Sequence, residues 1–376
     1  MDARHGELPF EHQIDGRQVS CWLSQTVGDA EWDTFLQSTP LGHFQQSSLW
    51  AQAKLVDGWK PIRFLLQVEG RLAGGFQILT RQSRVGKIGY ISKGPVLEYE
   101  DPVLLEYLVK QVISVVKTFR IRALIAQPPD ESRLNGALLA RHCFLPNHLV
   151  DVISATLLVD LSGGMAGINK NMRKTRLYEI RVARRQGISI REGGEKDIRV
   201  FFSLMSSTCK RQGTNPSPRT ESDMMALWNA FHPHGAIRLS LAECEGEIVA
   251  GLLCLRFGQR VTAWKKGWSG KYSDRYPNQL LSYEAIEWAQ RMGANVLDFA
   301  AMRRDIAEAM IAGKAPAKEW ESSRDWFNLG FGNRPQLLPE SKIYISNPLA
   351  RFLYKGVVAF RGDAHPKGGI VSIVVS

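Results

Sequence analysis

Apolar and polar positions follow the same order twice along this chain. VEGRLAGGFQIL begins at Val68 and CEGEIVAGLLCL begins at Cys244, an offset of 176 residues. Each reads as the end of one strand, a Glu-Gly turn, and a second strand rich in small and apolar residues. A further strand follows each, KIGYISKGPVL in the first copy and RVTAWKKGWSG in the second. A helical stripe comes next. It runs through Leu104, Leu105, Leu108, Val112 and Val115 in PVLLEYLVKQVISVVK, and through Leu280, Leu281, Ile286, Trp288 and Ala289 in NQLLSYEAIEWAQRMG, where Gly293 is the stop. RALIAQ and ANVLDFAA close the two copies as short strands. Leu104 and Leu280 also stand 176 apart, so the helices keep the register of the hairpins.

The pattern predicts a tandem duplication of one α/β unit: hairpin, strand, helix, strand. The last crossover in each unit makes its two strands parallel within a mixed sheet. A chain of 376 residues suits two cores rather than one. The apolar tail GGIVSIVVS reads as a terminal strand. No stretch approaches the roughly 20 apolar residues of a membrane span, and MDARHGELPFEHQIDG lacks the apolar centre of a signal peptide. The five cysteines are scattered and form no C-x-x-C, which points to reduced thiols in a cytoplasmic protein without a disulfide framework or zinc site.

Charge changes the picture at one place. The net charge is +11, and Asn169 to Ile190 alone carries seven bases against the single acid Glu179. Gly187 stops a helix there and ISIRE follows as a strand. The stretch Lys170 to Arg185 is therefore expected as the first helix of the second unit, joined through LSGG. Such density favours a polyanionic partner, or else a solvated basic face. WKKGWSGKYSDRYPN, which mixes aromatics with cations, is a second candidate for holding a single-stranded RNA end. Asp298 ends a crossover strand, where α/β sheets border ligand crevices, and is a candidate to orient or deprotonate an amine. There is no G-x-S-x-G nucleophile. His232 and His234, in FHPHG, lack the spacing of a helical metal site.

GHFQQSSLWAQAKLVDGWKP, YISKGPVLEYEDPVLLEYLV, KNMRKTRLYEIRVARRQG and ANVLDFAAM together resemble the Fem family, aminoacyl-tRNA-dependent peptidyltransferases that extend the stem peptide of peptidoglycan precursors. The resemblance implies an α/β fold with mixed sheets, made of two tandem GNAT-like acyltransferase domains. The first would be residues 1–160, with 333–376 packing back on it, and the second residues 161–332. It also implies aminoacyl-tRNA and a nucleotide-linked or lipid-linked muropeptide as partners, with a peripheral contact to the cytoplasmic membrane face. Charged tRNA would be a co-substrate, with no cofactor and no metal. Transfer from an ester to an amine is downhill, so a site that aligns the two and stabilises an oxyanion suffices.

Carried over residue by residue, the resemblance makes Lys54 and Arg219 ligands of the precursor's diphosphate, the task of an ammonium and a guanidinium. Gln127 stands where the family has an aspartate, Lys265 where it has a tyrosine, and Phe327-Asn328 where it has Phe-Lys. Gln127, Phe327 and Asn328 are thus expected against substrate. Asp298 and Lys265 are the catalytic candidates, with Lys266 also available to replace the missing cation. Lys170, Arg173, Arg176 and Arg184 are expected to hold tRNA. Three other readings stay open: a GNAT-type N-acyltransferase acting on a sugar or metabolite amine, a tRNA-dependent amide ligase of secondary metabolism, and an RNA-binding protein on an inactive acyltransferase fold. Neither VLEYEDP nor SGKYSDRYPN has the glycine spacing that cradles the pyrophosphate of CoA, which counts against a CoA-dependent enzyme.

Overall fold

A computed structural model describes residues 10–314, 317–332 and 334–361. The expected terminal strand GGIVSIVVS lies outside the described residues. The repeat is present in both units. Lys60–Val68 pairs antiparallel with Arg71–Ser83, and Ile237–Cys244 with Glu247–Phe257. Both hairpins turn on Glu-Gly with both residues left-handed: φ is 49° and 76° at Glu69 and Gly70, and 52° and 79° at Glu245 and Gly246. A two-residue turn of this type matches the twist of the flanking strands, and its second position favours glycine.

The duplication extends to an irregularity that periodicity does not reveal. Register shifts between Leu66 and Gln67 in the first hairpin and between Ala242 and Glu243 in the second, again 176 residues apart. Ala73 and Val249 are the extra residues. Each carbonyl accepts a 2.9 Å bond from outside the hairpin, from Glu98 N–H and Ser269 N–H respectively. A bulge retained at one offset in both copies is a feature of the unit's design.

Gly86–Ser92, helix Pro102–Thr118 and strand Ala123–Gln127 complete the first crossover, with Ile88 opposite Ala123 in a parallel pair. Arg260–Trp268, helix Pro277–Arg291 and strand Val296–Asp298 complete the second, with Arg260 opposite Val296. The predicted helical stripes are the buried ones: Leu104, Leu105, Leu108, Val112 and Val115 pack in one core, and Leu280, Leu281, Ile286, Trp288 and Ala289 in the other. The Asp101 carboxylate caps the first helix at the N–H groups of Val103 and Leu104. The fold is α/β with two mixed sheets.

Among the described residues, one compact unit comprises 10–152 with 339–361, and the other 153–338. These limits differ from the expected 160/161 and 332/333 because of strand pairing. Ala155–Asp160 belongs to the second sheet, between Val296–Asp298 and Arg334–Leu337. The chain then returns to the first sheet, where Lys342–Ile345 pairs with Ala123–Gln127.

The basic stretch departs from the single helix expected over Lys170 to Arg185. Gly164–Asn171 and Lys174–Arg185 are separate helices, and Met172 and Arg173 between them are extended. Met172 is buried, and Arg173 N–H donates to Gly330 O at 3.1 Å. The break turns Arg173 inward, toward the segment around Trp326.

A candidate active site in the second unit

The strand Arg260–Trp268 determines which of its two lysines enters the second core. Register against Glu247–Phe257 shifts between Leu253 and Cys254, so that Leu253 faces Lys265, Cys254 faces Ala263, and Trp264 is the extra residue. Without the bulge, Lys265 would share a face with Val261 and Ala263. With it, Lys266 takes that place opposite the core residue Leu252. Lys265 sits instead with its ammonium 4.7 Å from the Trp264 ring. Trp264 is buried and Trp268 packs against the core.

Lys266 is half-buried as a residue, but its ammonium is enclosed. Nζ donates to Ser282 Oγ at 2.8 Å and lies 4.4 Å from the Phe327 ring centroid. Ser282 Oγ donates in turn to Asn278 O at 2.9 Å, in the first turn of helix Pro277–Arg291. Arg176 approaches the same ring, its guanidinium 4.5 Å from Phe327 and 4.8 Å from Phe331. Two cations on one ring oppose each other, and only the lysine can readily release its proton. Burial first, and then the charge of Arg176, lower the Lys266 amine to about 7. Nearby Cys254 is pushed up to about 12 by burial, so it stays a neutral thiol and supplies no counter-charge.

Arg176 is itself held from several sides. It donates to Glu179 and, at 3.0 Å, to Phe327 O. Gly330 leaves room for it, since a Cβ there would lie 2.6 Å from Arg176 Nε. That Nε is buried without a partner, as is Asn278 Oδ1. Both are polar atoms a substrate group could satisfy. Asn328 is buried in the same short helix as Phe327, Arg324–Asn328.

The expected tRNA cations divide into two kinds. Arg173 stacks at 3.5 Å on the Trp326 ring and donates to Trp326 O, and Arg176 lies in the pocket described above. Arg184 bonds Glu284 and Glu287 and faces Tyr283. Arg173 and Arg176 thus serve contacts inside the unit, whereas Arg184, though paired with two glutamates, is exposed. Lys170 is exposed, as are Lys174, Arg181 and Arg185, which sequence reasoning had not singled out as RNA ligands. In WKKGWSGKYSDRYPN the cations are engaged as well: Lys271 pairs with Glu247, and Arg275 with Glu245 of the hairpin turn.

The Asp298 carboxylate accepts from Thr156 Oγ1 and Ala300 N–H and pairs with Arg260. It lies opposite Thr262, four residues before Lys266, about 13 Å along a strand. It therefore anchors the sheet rather than meeting the Lys266 amine. Arg219 is exposed just before the helix Glu221–Phe231. In the first unit, Lys54 ends the helix Ser48–Lys54, pairs with Asp57 at 3.4 Å and lies over Trp50. Gln127 is buried and donates to Pro339 O at 3.0 Å. Three residues further on, Asp130 pairs with buried Lys93 of the SKGPV segment. An acid is thus present near the end of that crossover strand, displaced from the position where Gln127 stands.

Comparison with known proteins follows the same division of the chain. The FemAB family model matches residues 27–137, and a GNAT acetyltransferase domain model matches residues 170–309. The Lipid II:glycine glycyltransferase of Staphylococcus saprophyticus is 23% identical over 233 residues, covering 58% of this chain and 55% of that protein. The protein of the same name from Staphylococcus aureus strain MRSA252 is 22% identical over 233 residues, covering 58% of this chain and 54% of its own length. The chain thus spans about half the length of the curated relatives it matches. The crystal structure of FemX superposes with a TM-score of 0.74 at 18% identity, covering 86% of this chain and 98% of that one. A tandem GNAT protein from the clavulanic acid biosynthesis pathway gives 0.50 at 10% identity, covering 88% and 99%. At these identities the structural likeness is one of fold.

The Lys266 pocket has a consequence for stability. A lysine lowered from 10.5 to about 7 makes the folded chain bind fewer protons than the unfolded chain between those values. Stability contributed at this position therefore rises with pH across that window, and the full penalty is felt below about pH 7. Lys266→Met fills similar volume without charge. Its melting temperature should exceed the wild type's at pH 6.5, with the gap closing toward pH 10. An equal gap at both pH values would show that the amine titrates normally.

Proposed function

We propose that this chain, which resembles the Fem family and is built of two GNAT-like units, is an aminoacyltransferase that moves an amino acid from charged tRNA to an amine on the stem peptide of a peptidoglycan precursor. The acceptor is a lipid-linked or nucleotide-linked muropeptide, and the reaction belongs to the cytoplasm. The names of the curated relatives support a lipid-linked precursor. The observation that carries the reading is the enclosed Lys266 amine, 2.8 Å from Ser282 Oγ and sharing the Phe327 ring with the buried guanidinium of Arg176, surroundings that lower it to about 7.

The acceptor nitrogen attacks the ester carbonyl carbon of the aminoacyl group. A carbon–nitrogen bond forms and the bond to the ribose oxygen breaks. Neutral Lys266 takes the proton from the attacking amine and returns it to the departing ribose oxygen, so the lysine ends as it began. An amine poised near the working pH suits both transfers. The charge of Arg176 favours negative charge building on the carbonyl oxygen. Arg176 thus supplies the fixed cation that Asn328 does not provide, and Lys266 carries the proton. The reaction needs neither a metal nor CoA.

In single-turnover transfer from charged tRNA, the rate should rise through about pH 7 and then level. Lys266→Met should lower it by about a hundredfold or more, and Lys266→Arg should abolish the inflection because arginine does not titrate there. A rate that keeps its pH profile in Lys266→Arg would remove the lysine from the mechanism. Acetyl transfer from acetyl-CoA in place of aminoacyl transfer would favour the GNAT N-acyltransferase reading.

Lys54 and Arg219 are the proposed ligands of the precursor's phosphates. A charge-assisted hydrogen bond contributes roughly 1.5–3 kcal/mol. Lys54→Ala or Arg219→Ala should therefore raise the acceptor KM about tenfold and leave the rate at saturating acceptor nearly unchanged. An unaltered KM in either variant would remove that side chain from the phosphate contacts.

For tRNA the proposed contacts are the exposed cations Lys170, Lys174, Arg181 and Arg185. Each phosphate contact steepens the dependence of log K on log salt by about 0.7 for a single strand. Lys174→Glu, Arg181→Glu and Arg185→Glu together should weaken tRNA binding and flatten that slope, with acceptor binding intact. If affinity and slope both survive, these side chains only solvate the surface.

A further inference from the structure

The helix Pro348–Arg361, in the first unit, presents the faces of its first two turns in an inverted sense. A helix on a folded body normally buries its apolar stripe and exposes its polar one. Here the polar side chains hold it in place. Arg351 donates to Ile345 O at 2.7 Å and stacks over Tyr344, while the Tyr354 hydroxyl bonds Pro146 O and His148 N–H. Leu349, Phe352 and Leu353, at spacings of three and four that share one face, are 68%, 72% and 61% exposed. Three large apolar side chains left together in water on one helix mark a docking surface.

Charge identifies the occupant. PLARFLYKGVVAFR contains Arg351, Lys355 and Arg361 and no acid, and Lys355 is exposed beside the apolar face. The segment leading into the helix is fixed to a second basic element: Ser346 N–H donates to Arg122 O, and both Arg122 and Arg120 are exposed. A second copy docking face to face through this helix would bring the same cations together. An anionic surface with an apolar interior satisfies both features at once. We infer that Pro348–Arg361 lies in the interface of an anionic lipid bilayer, with Leu349, Phe352 and Leu353 entering the acyl boundary and the flanking cations meeting lipid phosphates. The helix gives the peripheral membrane contact implied by the family resemblance a specific element, resting on the exposure and charge of this helix and not on the transfer reaction.

The test is flotation of the full chain with vesicles, read without any substrate. The chain should float with vesicles of phosphatidylglycerol and phosphatidylcholine in equal parts, and far less with phosphatidylcholine alone. The combined change Leu349→Ser, Phe352→Ser and Leu353→Ser should reduce partitioning about tenfold or more, and Lys355→Glu about fivefold or more. The apolar positions are already exposed, so unchanged circular dichroism and melting temperature should accompany the loss. Failure of the wild type to float, or equal flotation of the triple variant, overturns the inference. So does loss of a concentration-dependent dimer in the triple variant with no change on vesicles, which would make the face a self-association surface. Transfer to a soluble nucleotide-linked acceptor should be unchanged in the triple variant. Absence of transfer in the wild type, with flotation intact, would count against the aminoacyltransferase reading and leave the membrane helix standing.

Discussion

One extra residue in a strand decides which lysine enters the core of the second unit. Trp264 is the extra residue where the register shifts, and that slip carries Lys266 rather than Lys265 onto the face of helix Pro277–Arg291. The amine then meets a serine hydroxyl, an aromatic ring and a neighbouring guanidinium, with a neutral thiol nearby. Desolvation and like charge act in the same direction, which is how an ordinary lysine becomes a proton carrier near neutral pH. A charge buried in this way is an expense to folding, and the neighbouring Arg176 Nε is a buried donor without a hydrogen-bond partner, the kind of local cost that functional sites carry.

The basic stretch solves a packing problem before any binding problem. Arg173 and Arg176 cover the rings of Trp326, Phe327 and Phe331, and Arg184 ties one helix to another through Glu284 and Glu287. Planar guanidinium groups can stack on rings and donate in the same plane, so arginine rather than lysine fills these inner positions. Lysine predominates among the outward cations nearer the start of the stretch, at Lys170 and Lys174. The second hairpin's Glu-Gly turn has a comparable double use: it reverses the chain and, through Glu245, receives Arg275 and the Tyr272 hydroxyl.

The fold was largely legible in the sequence because it rests on period and offset. Two Glu-Gly turns, two helical stripes and one spacing of 176 specify the repeated unit, and the comparisons divide the chain the same way. What escaped were features with no periodic signature. The break at Met172 depends on a carbonyl of Gly330, far along the chain. The boundary at Ile153 depends on which sheet receives Ala155–Asp160. The choice between Lys265 and Lys266 depends on a bulge, and a single-residue slip exchanges the faces of a strand. Asp298 stood where a crevice residue would, but half-buried Arg260 and a threonine hydroxyl claim its carboxylate. The nearest hint of Lys266 was the substitution at Asn328, which removes a cation without saying where its replacement lies.

Direct titration of the lysine amine tests the account most closely. With the side-chain carbons of lysine labelled and Lys266→Arg used to assign the resonance, the chemical shift of the Lys266 Cε can be followed from pH 5 to pH 11 by NMR. The account predicts a midpoint near 7, well below the other lysines, and an upward movement of that midpoint when Arg176 is replaced by methionine. A midpoint near 10.5 would contradict it, because the amine would then be protonated at neutral pH and could not accept the proton of the attacking nitrogen.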